Sequence, residues 1–137
     1  MANNKVSVGA VFQYPYLWHW QYERGETEGR KNRQSVVALT AEKAEVNYLF
    51  LLPITSKRPD ETRVALPVPE AERKRANLDN IDLWIIFDEC NIDSENASYY
   101  FQPNAPMTKF SAAFTEKITE MFMFCLRKNT SAKTLRL

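Results

Sequence analysis

The sequence predicts a β-rich α+β domain, a small antiparallel barrel with a short helix and one long C-terminal helix. Three observations predict it. Two apolar runs, Ser35–Thr40 and Glu45–Thr55, are separated by only a few residues, as in a hairpin. A third run, Ile81–Phe87, is also apolar on both faces, which belongs to a buried strand. Near the end, Phe110, Phe114, Ile118, Met121, Phe122 and Cys125 repeat at three- and four-residue steps and form one helical stripe.

At 137 residues the chain makes one domain with a single core, and 45% hydrophobic content excludes a disordered chain. Eighteen basic residues against seventeen acidic ones argue against a strongly basic nucleic-acid binder, while leaving room for local patches. The two cysteines, Cys90 and Cys125, read as buried free thiols of a reducing cytoplasm. No targeting core and no membrane-spanning run is expected, so the protein is read as soluble and cytoplasmic.

In chain order, Val6–Gln13 reads as a first strand, with Gly9 marking a bulge or a close backbone approach. Tyr14–Tyr22 then holds five aromatic rings and a histidine in nine residues. Those rings either close a barrel end or a dimer interface, or they present a stacking surface for bases or a partner peptide. Glu23–Asn32, with Gly25 and Gly29, reads as a long flexible charged loop. Strand two is placed at Ser35–Thr40, a turn at Ala41–Ala44, and strand three at Glu45–Thr55.

Lys57–Glu61 reads as a charged turn and Thr62–Val68 as a short strand, confined to an edge or ended by Pro67 and Pro69. Pro69–Ala76 reads as a short helix with acids early and bases late, as the helix dipole favours. Its run Arg73-Lys74-Arg75 is a solvated face or a track for an RNA backbone. The apolar strand Ile81–Phe87 ends at Asp88-Glu89, and a polar loop leads to a small strand at Ser98–Phe101. The long helix is placed at Ser111–Leu126, capped by Thr108 or Ser111, with a frayed polar tail from Lys128.

If the second and third strands pair antiparallel, Arg33 at the start of one lies beside Thr55 and Ser56 at the end of the other. A basic approach through Lys31 leads to that point. A permanent cation beside hydroxyl donors suits a phosphate.

The element order and two short motifs resemble the PemK/MazF (Kid-like) toxins of type II toxin–antitoxin modules, of which this chain looks like a divergent member. The motifs are Arg33-Gln34-Ser35-Val36-Val37 and Pro53-Ile54-Thr55-Ser56, supported by Trp84–Glu89 and the C-terminal helix. Where the family usually has proline after the arginine, this chain has Gln34. The turn after the short helix has Asn77, where glycine is commoner and where asparagine still tolerates positive φ.

The resemblance implies an SH3-like barrel of the CcdB/PemK type and a growth-inhibiting endoribonuclease that needs no metal or other cofactor. It implies a single-stranded RNA substrate, a cognate antitoxin as partner, and a homodimer. Arg33 and Thr55 would act at the scissile phosphate, with the 2′-hydroxyl as nucleophile. Ser56, Lys31, Asp88, Glu89, His19 and Trp18 are the candidates for holding RNA or moving protons. The alternative keeps the fold without catalysis, binding a peptide, RNA or gyrase. Gyrase poisons of the CcdB type act through a C-terminal Trp-Gly-Ile motif, and this chain ends Ala132-Lys133-Thr134-Leu135-Arg136-Leu137.

Overall fold

The computed structural model describes residues 6–95, 100 and 106–137. Among them are eight strands and three helices. In order these are β1 (Ala10–Tyr14), α1 (His19–Glu23), β2 (Arg33–Lys43), β3 (Val46–Thr55), β4 (Ala65–Pro67) and α2 (Glu70–Arg75). Then follow β5 (Trp84–Ile86), β6 (Glu89–Ser94), β7 (Met107–Lys109), α3 (Ala112–Arg127) and β8 (Ala132–Leu135). The strands form a single sheet in the order β4-β5-β3-β2-β1-β7, with β6 also on β3 and β8 outside β6. Every pair is antiparallel except β6 with β8, which is parallel. The fold is therefore a small, β-rich α+β unit, as the apolar runs predict.

The β2–β3 hairpin is the spine. Its side chains alternate between two buried clusters, as a strand buried on both faces requires. Val36, Ala38, Leu52 and Ile54 join the larger cluster, while Val37, Leu49 and Leu51 join the smaller one with Phe12, Tyr14 and Tyr16. The other edge of β3 changes partner along its length. Leu51 opposes Asn91 of β6, and Ile54 opposes Ile85 of β5, so Pro53 falls where one partner gives way to the next. A proline without an N–H is tolerated at such a change.

Against the larger cluster lies α3, which buries Phe114, Ile118, Phe122 and Cys125. Each large apolar side chain buried this way contributes about 1.5–3 kcal/mol. Ser111 is its cap, accepting from the N–H of Phe114; the Thr108 hydroxyl instead donates to the carbonyl of Ala76. Gly9 (φ +95°) lies so close under α3 that an added Cβ would sit 2.4 Å from the Thr115 hydroxyl, the close approach that the glycine suggests. Thr119 also faces the sheet, donating to the carbonyl of Ala38 at 2.9 Å, although the stripe puts both threonines on the outer side. Cys90 and Cys125 are free and buried.

Other elements differ from the sequence reading. The first strand is Ala10–Tyr14 rather than Val6–Gln13, and the run read as Thr62–Val68 pairs only over Ala65–Pro67. The hairpin turn is Ala44-Glu45, not Ala41–Ala44, and β2 runs on to Lys43. Both turn residues take positive φ (+53° and +66°), a conformation that Asn-Gly would have signalled and Ala-Glu does not. The run Ile81–Phe87 forms a strand only over Trp84–Ile86, and Ile81 is half exposed.

The polar loop after Asp88 is in fact β6, wholly buried. The tail from Lys128 is not frayed throughout: it holds β8, and Arg136 is buried. Two further elements were not anticipated, α1 within the aromatic run and β7 before the long helix. The small strand expected at Ser98–Phe101 lies outside the described residues except for Tyr100. No described helix is long and apolar enough to cross a membrane.

Candidate functional site

The hairpin register brings the two ends of the spine together. Ser35 opposes Pro53 at the end of the ladder, and Arg33 and Thr55, each two residues further out, lie at the open end of the pair and line the same groove. On their other sides Arg33 opposes Tyr14 of β1 and Thr55 opposes Trp84 of β5. Beyond them opens a groove of about 500 Å³, lined by Trp18, Trp20, Lys31, Arg33, Thr55, Ser56, Lys57, Arg58, Pro59, Asp60, Arg63 and Ile86. Five of these side chains are cations and one is an acid; Arg63 is answered by Asp88 and Glu89, and the other four cations leave the groove positive on a chain of net charge +1.

Arg33 is half-buried, and its guanidinium lies 5.1 Å from the centre of the Trp18 ring. Among the described residues its side chain has no hydrogen-bond or ion-pair partner. Burial pulls its pKa below the ordinary arginine value, only partly opposed by Tyr16. An arginine remains a cation under such a shift, so the result is a desolvated, uncompensated positive charge. Thr55 is buried, and its Oγ1 accepts from the backbone N–H of Lys57 at 3.1 Å. That bond fixes the oxygen while leaving the hydroxyl proton to donate. Ser56 beside it is exposed.

The wall carrying Trp18 and Trp20 is held from below by β6. Its residues alternate: Cys90 and Ile92 enter the larger core, and Glu89, Asn91 and Asp93 turn to the aromatic segment. Asp93 accepts from the Tyr14 hydroxyl at 2.6 Å, and Glu89 from the Tyr16 hydroxyl at 3.2 Å. Asn91 bonds both backbone groups of Leu17, at 2.9 and 2.8 Å. Glu89 also accepts from the N–H of His19 at 2.9 Å, just before the first turn of α1. Arg136 donates to the carbonyls of Pro15 (2.9 Å) and Thr27 (3.2 Å), so the chain end fastens the same segment from another side.

The opposite wall is set by Arg63, which donates to Asp88 at 2.6 Å and to Glu89 at 2.8 Å. Its paired carboxylates push its pKa further up. Asp60 accepts twice from Thr62, through the backbone N–H (2.9 Å) and the hydroxyl (3.1 Å), and those bonds lower its pKa. It is the acid among the residues lining the groove.

Of the residues singled out in the sequence, Arg33, Thr55, Ser56, Lys31 and Trp18 line this groove together. His19, Asp88 and Glu89 do not line it. His19 pairs with Glu23 at 3.4 Å and stacks on Tyr22. Asp88 and Glu89 are used up in holding Arg63 and the aromatic segment, so their part is positional. Trp20, part of the aromatic stacking surface expected over Tyr14–Tyr22, lines the groove as well, whereas sequence reasoning missed Lys57, Arg58, Asp60 and Arg63. The Lys57-Arg58 pair directly after Thr55-Ser56 was a readable signal; Arg63 had none, since its place depends on Asp88, 25 residues on. Among the described residues no group of three or more His, Cys, Asp and Glu side chains could hold a metal ion. Comparison with family models, curated proteins and solved structures found no match to this chain.

Proposed function

We infer that the groove binds single-stranded RNA and cuts it, so that the chain acts as a growth-inhibiting endoribonuclease built on an SH3-like barrel of the PemK/MazF kind. The observation that carries this reading is the half-buried Arg33, with no hydrogen-bond or ion-pair partner among the described residues, lining with Thr55 a cationic groove walled by two tryptophans. A phosphate replaces the missing counter-charge of Arg33, and the Thr55 hydroxyl donates to a non-bridging oxygen. Trp18 and Trp20 offer faces for stacked bases, while Lys31, Lys57 and Arg58 follow the backbone. None of these contacts depends on base identity.

The reaction class is transesterification. The ribose 2′-oxygen forms a bond to phosphorus and loses its proton, and the 5′-oxygen leaves and takes one up. The products are a 2′,3′-cyclic phosphate and a 5′-hydroxyl, with no water consumed. Charge grows on the phosphate oxygens in the transition state, where Arg33 and Thr55 strengthen their hold. Asp60 is a carboxylate at neutral pH, as an ordinary aspartate is, and stands in the groove as the acceptor for the 2′-proton; the two bonds from Thr62 lower its pKa and make it a weak base. Four cations besides the paired Arg63, against one acid, also suit a competing acidic peptide, such as the tail of an antitoxin, lying in the same groove. A homodimer would extend it with a second copy.

The test is incubation of the purified protein with single-stranded RNA in excess chelator. The reading expects discrete fragments ending in 2′,3′-cyclic phosphate, lost in Arg33→Ala. RNA left intact, or fragments ending in 3′-hydroxyl, would contradict it. In cells, expression of the wild-type chain alone is expected to arrest growth, and Arg33→Ala to relieve the arrest.

A further inference from the structure

A second depression of about 280 Å³ adjoins the groove and shares Lys31, Arg33 and Ser56 with it. Its character is different. Four amide side chains, Gln13, Asn32, Gln34 and Asn77, surround it together with Asp79. Its apolar lining comes from Ile54, Leu78, Leu83 and the half-exposed Ile81. Among the described residues none of the four amide side chains makes a hydrogen bond, although Gln13 and Gln34 are directly opposed on β1 and β2. The pocket is thus a mainly polar depression with a smaller apolar part to its lining, carrying donors and acceptors that no described residue satisfies, and it adjoins the cation that the groove uses for phosphate.

We propose that this depression is a base-reading subsite that gives the groove its sequence preference, with Gln13 and Gln34 as the principal readers. The proposal rests on the reading of the neighbouring groove as a nucleic-acid site. Phosphate contacts position a strand without specifying it, and specificity comes from bonds to base edges. Primary amides suit that task because one group both donates and accepts, matching the paired donor and acceptor positions of a base edge. A carboxylate such as Asp79 accepts from an exocyclic amino group. The apolar lining receives the face of a splayed-out base, as in single-strand recognition generally. The volume is just below the roughly 300 Å³ at which pockets for drug-sized ligands begin, which fits one base better than a peptide segment.

The test measures binding of fluorescent 2′-O-methyl RNA oligomers of about ten nucleotides, oligo(A), oligo(C) and oligo(U), which lack the attacking 2′-hydroxyl and stay intact, by anisotropy at fixed salt. The wild-type chain, Arg33→Ala and the double variant Gln13→Ala/Gln34→Ala are compared. Asn77 is left in place because its φ of +57° would strain an alanine. Gln13 is exposed and Gln34 half-buried near the ends of β1 and β2, and a thermal melt of each variant checks that it folds. The wild-type protein is expected to prefer one oligomer by about tenfold or more, the scale of one good bidentate pair. The double variant is expected to lose that preference, its three affinities converging, while Arg33→Ala weakens all three and keeps their order. A double variant that keeps the wild-type preference would overturn the subsite and leave the groove standing. Equal wild-type affinities would do the same. Failure of the wild-type protein to bind any of the three would overturn the groove itself.

Discussion

The side-chain amide of Asn91 closes both backbone groups of Leu17, accepting from its N–H at 2.9 Å and donating to its carbonyl at 2.8 Å. One buried residue of β6 thereby does what a neighbouring strand would do for a segment that has none. Leu17 precedes Trp18, the ring against Arg33, so this bond pair sets the position of the groove wall. Asn91→Ala leaves a buried N–H and carbonyl without partners and takes an acceptor from Arg136. The expected loss is about 3 kcal/mol. Urea denaturation followed by tryptophan fluorescence checks it, with a red-shifted native spectrum as Trp18 becomes wetter. An unchanged midpoint and spectrum would mean that the segment holds its place without Asn91.

Arg136 is 4% exposed, one residue from the end of the chain. Its guanidinium donates to Pro15, Asn91 and Thr27 and lies 3.9 Å from the Tyr100 ring centre. A planar fork with several donors fits these three acceptors, and a lysine ammonium does not. Arg136→Lys is therefore expected to cost about 2 kcal/mol or more, and deletion of residues 132–137 a larger amount, since it removes β8 as well. Melting temperatures of the two variants check the order. A truncated chain that melts with the wild type would show the tail to be dispensable.

Stability is expected to fall steadily above about pH 9. Burial and the carboxylate of Asp93 raise the Tyr14 phenol, although Arg136 partly opposes them, and burial and Glu89 raise the Tyr16 phenol. Burial also pushes the Cys90 thiol up to about 11. In each case the proton leaves the unfolded chain first, near pH 9 for a cysteine and about 10 for tyrosine. The folded state thus holds more protons across that window, and stability declines as pH rises through it. It is fully present below about pH 9. Each group contributes up to about 1.4 kcal/mol per pH unit. Tyr16→Phe is expected to make the alkaline slope of the denaturation midpoint shallower. A slope equal to that of the wild type would contradict the assignment.

The β2–β3 hairpin, the helix stripe and the meeting of Arg33 with Thr55 were legible because each rests on a local period. Residues 46–55 and 112–127 carry strong strand and helix patterns, and antiparallel pairing alone puts the start of one strand beside the end of the other even with the turn misplaced. By contrast, β6 was hidden by its composition. Glu89-Cys90-Asn91-Ile92-Asp93 does alternate, but its polar face is buried against Tyr14, Tyr16 and Leu17, which lie 73 to 79 residues away in sequence. The same distance hid β8 and the burial of Arg136, whose partner Pro15 lies 121 residues back. Gly29 was read as loop flexibility. Its φ of +76° and the 2.4 Å separation between an added Cβ and the carbonyl oxygen of Pro15 make it a packing glycine instead. Asn77 was read correctly as able to take the positive φ it has.

The central claim is that Arg33 holds a phosphate of single-stranded nucleic acid in the groove. Its most direct test is the salt dependence of binding of 2′-O-methyl oligo(U), which cannot be cleaved, by the wild-type chain and by Arg33→Ala. For single strands the slope of log affinity against log salt is roughly −0.7 for each phosphate neutralised. The wild-type slope is expected to reach about −2 or steeper, given Lys31, Lys57 and Arg58 beside Arg33. Arg33→Ala is expected to bind more weakly and to flatten that slope by about 0.7. A variant with the affinity and slope of the wild type would show that Arg33 meets no phosphate, and the account of the groove would fall with it.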